Sequence, residues 1–416
     1  MKKARSNSAI IDFKFVLLYK VKRNHSVMTK KDERLLVTVK TFFGLEDVLI
    51  DELTELGYLK AVKLNRAVQV KVSEWEDVYR LNLHLRCALT VLVEIASFEI
   101  RKEADLYQQC THIDWTAYFS VDKTFAVKGA VFSDIFKHSQ YPFLLVKDAI
   151  VDTFRKKSGQ RPNVNIKTPQ LLFDLHVSGS KVTISLNTSG APLFQRGYRE
   201  ATGNAPLNEV VAASLLRMSG WDKNSDLIDP FCGSGTILIE AALLAAGIPS
   251  NIERQHYAFK NFSNFDAELW DRIWNLANIR VKGLSCRISG SDRSAEMVLK
   301  ARRNLRRVSV GRFVETHVSE FKDVENISTK GYIITNPPYG ERISENIEEL
   351  YGELGNWMKH EMKGFNCWVL SSSETGFKSI GLKPDKKIRL YNGDLECSFR
   401  SFNIFEGTLK ESKIQT

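Results

Sequence analysis

Cysteine is scarce in this chain. The six cysteines among 416 residues (Cys87, Cys110, Cys232, Cys286, Cys367, Cys397) are scattered, with no C-x-x-C pair. That pattern supports neither a zinc site nor a disulfide framework, so no metal is expected and a reduced, cytoplasmic setting is. No uninterrupted apolar run reaches the roughly 18 residues a membrane span needs, so no membrane partner is expected. The apolar stretch near the N-terminus is broken by Asp12 and Lys14, and no small-residue cleavage site follows, which argues against a signal peptide. Acid is also scarce there. Residues 1–31 hold nine Lys/Arg against one acid, Asp12, and so carry +8 of the net +10. The high pI is therefore a property of that segment and on its own says little about partners. Residues 1–34 are expected to be a disordered basic tail, with Met28 as an alternative start.

Beyond the tail the length suffices for two or three domains. Leu35 to Val39 reads as a strand, and Leu45, Val48, Leu49 and Leu53 mark an amphipathic helix closed at Gly57. Tyr58 to Leu64 and Ala67 to Val72 read as strands turning at Asn65-Arg66, and Ser73 suits the N-cap of a following helix. Ala88 to Phe98 reads as a last strand. The order βαββαβ suggests a ferredoxin-like unit over 35–103. A second unit spans 104–190. There Phe143, Val146, Ile150 and Phe154 share one helical face between Pro142 and Gly159, and a hairpin turns at Ser178-Gly179-Ser180. Arg155, Lys156, Lys157, Arg161 and Lys167 lie between helix and hairpin, with no acid from Thr153 to Phe173. Two readings stand: cations favoured at a helix C-terminus, or a phosphate-contacting patch.

The last third carries two strong motifs. Asp229-Pro230-Phe231-Cys232-Gly233-Ser234-Gly235-Thr236 joins a strand to a helix. Gly233 and Gly235 permit close backbone approach, and the helix start suits the negative end of a ligand. It is not a P-loop, because the Gly-Lys-Ser/Thr element is missing. About 100 residues on, the run Tyr332 to Thr335 ends in Asn336-Pro337-Pro338-Tyr339. The prolines stiffen this stretch and cannot donate hydrogen bonds. An amide side chain, the Pro337 carbonyl and an aromatic ring then stand at the carboxyl end of a strand, where open α/β sheets bind ligands. They suit a planar molecule bearing an amino group. Asp292, ending a short strand, is placed for ribose hydroxyls or as a helix N-cap, and Glu320 for an adenine-side contact. Asp292 lies 63 residues beyond Asp229, where roughly 20 is usual, so 247–283 reads as an inserted lobe.

These residues resemble the class I S-adenosylmethionine-dependent methyltransferases of the amino-group branch. Over roughly residues 35–407 the chain is similar to the bacterial THUMP-domain RNA guanine-N2 methyltransferases of the RlmL type. The likeness is carried by Asp105-Leu106-Tyr107, Ile113-Asp114-Trp115, His138-Ser139-Gln140, Lys147 to Asp152, Gln195-Arg196-Gly197-Tyr198-Arg199 and Ala205-Pro206-Leu207. It continues through the two motifs, with Gly340-Glu341-Arg342, and Tyr391 to Cys397. It implies an α/β fold: a doubly wound, Rossmann-like methyltransferase sheet over 191–410, preceded by the ferredoxin-like and THUMP RNA-binding regions. S-adenosylmethionine is then the expected cofactor, held by Asp229, Pro230, Cys232, Gly233, Ser234, Gly235, Thr236, Asp292, Glu320 and Leu207. The expected partner is RNA, 23S ribosomal RNA or a large-subunit precursor, contacted by the patch at 155–167 and by Arg196 and Arg199. Asn336, Pro337, Pro338 and Tyr339 would serve the chemistry, with the Tyr339 ring as a platform for an unstacked base. Larger relatives carry a second methyltransferase domain, so only the guanine-N2 half is expected here. A transfer-RNA guanine-N2 enzyme, a DNA adenine-N6 enzyme and a non-catalytic RNA-binding protein are the alternatives.

Overall fold

The structure is a computed structural model that describes residues 34–200, 206–279, 281–324, 328–339 and 346–404. The expected tail up to residue 33, Ala205, Gly340-Glu341-Arg342 and the chain beyond 404 lie outside the described residues.

The first part runs β1 (Leu35–Lys40), α1 (Glu46–Glu55), β2 (Val62–Leu64), β3 (Ala67–Val72), α2 (Trp75–His84), β4 (Thr90–Glu99), α3 (Glu103–Thr111), β5 (Phe125–Phe132), α4 (Tyr141–Ser158), β6 (Leu171–Ser178) and β7 (Lys181–Asn187). Its strands form one sheet in the order β2-β3-β1-β4-β7-β6-β5. The antiparallel β4–β7 pair carries the sheet unbroken across the boundary expected at 103/104, with a register shift between Glu94 and Ala96. Alternation explains the pairing: Leu171, Phe173, Leu175 and Val177 are buried while the residues between them are not. Pro142 lies in the first turn of α4 and left-handed Gly159 (φ 71°) ends it, as the sequence requires.

Two expectations shift. The strand expected from Tyr58 is only Val62–Leu64. The Tyr58 amide bonds the Leu53 carbonyl (2.9 Å), and its hydroxyl donates to Asp77 (3.1 Å), so residues 58–61 close α1 instead of joining a ladder. Ser73 is not the cap of α2. Glu74 is, and the Asp77 carboxylate reaches back to the Ser73 amide (2.9 Å).

The second part runs α5 (Glu209–Met218), β8 (Asp226–Asp229), α6 (Thr236–Ala245), α7 (Ala267–Ala277), β9 (Ile288–Asp292), α8 (Ala295–Leu305), β10 (Val314–Val318), β11 (Gly331–Thr335), α9 (Ile347–Glu361), β12 (Phe365–Ser371), α10 (Glu374–Ser379), β13 (Lys386–Asn392) and β14 (Leu395–Asn403). The sheet order is β10-β9-β8-β11-β12-β14-β13. Its first five strands are parallel and β14 returns antiparallel to β12. The strand order reverses between β8 and β11, which opens a crevice at their carboxyl ends.

The expected inserted lobe is a weld between the two sheets. Tyr79 of α2 packs against Phe259 (4.7 Å between centroids), Phe265 (5.9 Å) and Trp270 of α7 (6.2 Å). Arg254 donates to the carbonyls of Ser189, Ala191, Pro192 and Gln195 (2.6–3.1 Å), and the Phe259 amide to Thr188 (3.0 Å). Among the described residues no helix is long and apolar enough to cross a membrane.

Candidate active site

The reversal of strand order between the parallel neighbours β8 and β11 brings the two motifs side by side. β8 ends at Asp229, and the turn to α6 needs left-handed backbone at Gly233 (φ 52°) and Gly235 (φ 82°). α8 presses on this turn: a Cβ on Gly235 would lie 3.1 Å from that of Ala301. Gly290 of β9 has no room for a side chain either, since a Cβ there would lie 2.8 Å from that of Cys232. Cys232 is buried, and burial holds its thiol well above the usual range.

Asp292 meets this turn from the end of β9. One carboxylate oxygen accepts from the Gly233 amide (3.0 Å) and the other from the Ser294 amide (2.9 Å). The cap of α8 is Ser294, so the N-cap alternative for Asp292 falls. Ser319 bonds the Asp292 carbonyl (3.2 Å), so the half-exposed Glu320 follows at the same sheet edge, paired with Lys322 (3.3 Å).

Asp229 faces the other way. It is buried beside buried Pro230, and one oxygen accepts both the Thr335 hydroxyl (2.6 Å) and the Phe231 amide (3.2 Å). Burial, with nearby Asp292 adding to it, pushes the Asp229 carboxyl up to about 7. Thr335 is the last residue of β11, so this bond ties the glycine turn to the residue preceding Asn336.

Asn336 stands at the carboxyl end of β11 with its side-chain oxygen buried and without a hydrogen-bond partner. Buried polar atoms are nearly always paired, so an orphan acceptor in a crevice marks a place for a donor from outside the chain. Pro337 is buried. The Pro338 carbonyl accepts from the Tyr351 hydroxyl (3.4 Å), which also bonds Ser371 (2.7 Å). Tyr339 departs from expectation. Its ring is only 3% exposed, and its hydroxyl sits 3.4 Å from the Asn392 amide and 3.9 Å from the Cys397 sulfur. A ring packed this way has no open face for a base; it braces the tetrapeptide against the β13–β14 hairpin.

Of the two arginines of Gln195-Arg196-Gly197-Tyr198-Arg199, Arg196 is buried and Arg199 is only partly exposed. Arg196 faces Glu240 (3.4 Å), the Asn251 side chain (2.9 Å), the Leu193 carbonyl (2.9 Å) and the Arg86 carbonyl. Buried and bonded inside the protein in this way, the Arg196 guanidinium presents no surface to a phosphate in this structure. Tyr198 shares Glu240 (3.1 Å), whose carboxyl burial lifts despite the guanidiniums of Arg196 and Arg86. Arg199 is turned onto the cofactor turn. It bonds Glu209 (2.8 Å), Ser234 (3.4 Å), Thr236 (3.2 Å) and the carbonyl of Leu207 (3.3 Å). These bonds tie Leu207 and Ser234 together through one side chain.

Arg155, Lys156, Lys157, Arg161 and Lys167 are all exposed around the end of α4. Arg155 pairs with Asp152 (3.4 Å) and Lys157 with Asp114 (2.6 Å). Lys156, Arg161 and Lys167 form no ion pair among the described residues, and exposed Val164 and Ile166 lie between them in sequence.

Sequence reasoning missed Glu240, Asn304, Thr335 and Tyr351. Glu240 had a signal, a lone charge inside the apolar run of α6. Asn304, buried in α8, bonds the Ser234 carbonyl (3.0 Å) and the Glu200 amide (3.0 Å), but in sequence it is one polar residue among arginines.

A doubly wound sheet with a glycine turn at one strand end, an acid at the next and an orphan amide acceptor across the switch point is a nucleotide-type ligand site, and comparison with known families and solved structures identifies the fold as that of the S-adenosylmethionine-dependent methyltransferases. Residues 196–401 match the RMKL-like methyltransferase domain, 101–187 the THUMP domain and 37–92 the RlmL ferredoxin-like domain. The chain belongs to this family of THUMP-containing, RlmL-like methyltransferases. It is 36% identical over 379 residues to ribosomal RNA large subunit methyltransferase K/L of Aliivibrio fischeri (strain MJ11), matching 89% of this chain and 54% of that protein. The chain thus spans about half the length of the curated relatives it matches. Among solved structures, a possible methylase from Clostridium difficile 630 is 30% identical with a TM-score of 0.80, over 90% of this chain and 100% of that one. The crystal structure of SMU.472 complexed with SAH is 28% identical with a TM-score of 0.79, over 91% of this chain and 100% of that one.

Proposed function

We propose that this chain methylates the exocyclic N2 amine of a guanine in RNA, and that the RNA is 23S ribosomal RNA. The single observation that carries the chemistry is the buried, unpartnered Asn336 oxygen. The substrate class is supported by the THUMP match, by the large-subunit methyltransferase relatives and by the exposed cations at 155–167.

The residues of the crevice suit the cofactor. The turn at Gly233, Ser234 and Gly235 is open to close approach, Asp292 can turn one oxygen from Gly233 to ribose hydroxyls, and Glu320 flanks the adenine side. Asp229, Pro230, Cys232, Thr236 and Leu207 complete the wall. Bound S-adenosylmethionine supplies an electrophilic methyl group. The chain's own task is to aim a weak nucleophile, because the guanine amine lone pair is delocalised into the ring. The Asn336 oxygen and the Pro337 carbonyl accept the two amine N–H groups, which draws the nitrogen toward a tetrahedral form. Both bonds strengthen as positive charge develops on nitrogen, so they favour the transition state. Tyr351 and Tyr339 hold the tetrapeptide stiff, through Pro338 on one side and the hairpin on the other.

The test is a comparison of ribosomal and transfer RNA from wild-type and deletion cells by nucleoside digestion and mass spectrometry. N2-methylguanosine missing from 23S RNA of the deletion strain supports the reading. Loss from transfer RNA would move the substrate, and a lost DNA N6-methyladenine would overturn the base. If no modification is lost and purified protein binds no S-adenosylmethionine, the non-catalytic RNA-binding alternative takes its place.

A further inference from the structure

The β13–β14 hairpin that Tyr339 braces against carries one ring of an aromatic pair that nothing above uses. Phe43, in the turn after β1, and Tyr391, near the end of β13, meet edge to face at 5.8 Å, although they belong to different sheets. Phe43 leaves 47% of its surface open. A single exposed apolar side chain is ordinary on a protein surface; what sets Phe43 apart is its pairing with a second ring from the other sheet.

The pair is built to stay where it is. The buried Glu46 carboxylate accepts from the amide of Gly44 (2.9 Å) and from that of Arg66 (2.9 Å), pinning two turns together. Gly44 is left-handed (φ 85°), and a Cβ on it would lie 3.2 Å from the Arg389 carbonyl of β13. The first sheet's turn therefore abuts the catalytic hairpin. Arg389 lies 5.9 Å from the Tyr391 ring, bonds its hydroxyl (3.0 Å) and pairs with Glu396 (2.5 Å), whose carboxylate also accepts from the Tyr391 hydroxyl (3.0 Å); its side chain is 65% exposed. Arg66 is exposed on the other turn. The next residue after Tyr391 is Asn392, whose amide donates to Tyr339 of the catalytic tetrapeptide.

We propose that Phe43 and Tyr391, edged by Arg66 and Arg389, form the stacking surface for an RNA nucleotide beside the target base. A base drawn into the crevice leaves its neighbour unstacked, and an exposed ring with adjacent guanidiniums is the surface that receives such a base and its phosphate. Tyr339, being buried, cannot take this role. The inference rests on the reading of the chain as an RNA base methyltransferase.

The test uses the full chain with unmodified 23S RNA transcribed in vitro, measuring filter binding and single-turnover methyl transfer. Phe43→Ala and Tyr391→Ala should each raise the RNA concentration for half-saturation about tenfold. Phe43→Trp and Tyr391→Phe, which keep a ring, should stay within about twofold of wild type. S-adenosylhomocysteine affinity by calorimetry and the unfolding midpoint should not move in any variant. RNA half-saturation unchanged in both alanine variants would overturn the proposal. So would a parallel loss of S-adenosylhomocysteine binding and thermal stability, which would make the rings a brace between sheets. If wild-type protein transfers no methyl group to the RNA, the parent reading fails first and this one falls with it.

Discussion

The carboxyl edge of the second sheet and the end of α4 both concentrate polar groups, and they treat them in opposite ways. At the sheet edge, Asp229, Asp292 and Arg199 are fixed by bonds of 2.6–3.4 Å to neighbours on other elements, and among the described residues the Asn336 oxygen and the Ser291 hydroxyl are left over. At the end of α4, Lys156, Arg161 and Lys167 are exposed and make no ion pair among the described residues. A fixed, desolvated group can favour one geometry of a reacting atom. A loose, hydrated cation attracts any phosphate and discriminates little. On the function proposed above, chemistry and grip fall to these two regions separately, and mutation should affect one without the other.

The largest effect should come from filling the glycine turn. Gly235→Val adds a branched side chain against Ala301 at a left-handed position, and calorimetry should find no measurable S-adenosylmethionine binding. Wild-type affinity in that variant would break the assignment of the turn. Next, Asn336→Ala should cut the single-turnover rate by roughly two or more orders of magnitude while cofactor and RNA affinity hold. A retained rate would remove Asn336 from the chemistry.

Arg196→Ala leaves the buried Glu240 carboxyl without its closest cation, and breaking this buried pair should cost about 3–5 kcal/mol in urea unfolding. Arg199→Ala, four bonds poorer at the cofactor turn, should weaken S-adenosylhomocysteine binding by about tenfold and leave RNA binding alone. The reverse pattern for Arg199 would restore it to the RNA surface. Charge reversal at Lys156 and Arg161 should weaken RNA binding and flatten its salt dependence, with a near-normal rate at saturating RNA.

A further effect is one of pH. Asp229 has its carboxyl pushed up to about 7 in the fold, against about 4 for an unfolded aspartate. Between those values the folded protein binds the extra proton. Stability is then fully present below about pH 4, declines as pH rises toward 7 and levels off above. Each unit of the shift amounts to about 1.4 kcal/mol. Asp229→Asn keeps an acceptor for Thr335 and should flatten that decline in urea titrations at about pH 5 and about pH 8; an unchanged slope would show that another group carries it.

Much of this was legible in the sequence because it is local. The glycine turn, the proline-stiffened tetrapeptide, the Pro142-to-Gly159 helix and the Gly179 hairpin are each set by a few adjacent residues. What escaped is what folding brings from afar. Arg196 and Arg199 stand three residues apart in one basic-looking segment, and only Glu240 and Glu209, from two different helices, decide that both turn inward. Tyr339 was misjudged for the same reason: its hydroxyl partners come from residues 392 and 397. The long gap before Asp292 was visible as an insertion, but its aromatic residues gave no hint that their partner was Tyr79 of the first sheet.

That insertion has a mechanical consequence. Segment 247–283 carries Arg254, which clips four carbonyls of the 189–195 connection, and an aromatic stack that grips α2. A connection clipped along its length is not a hinge. If the first sheet holds RNA, it holds it as one jaw of a caliper whose gauge is set at synthesis. Such an instrument does not swing to find its mark. It selects the nucleotide that lies at the right span from the gripped stem, so moving the target by a base pair would spare it even with its own sequence unchanged.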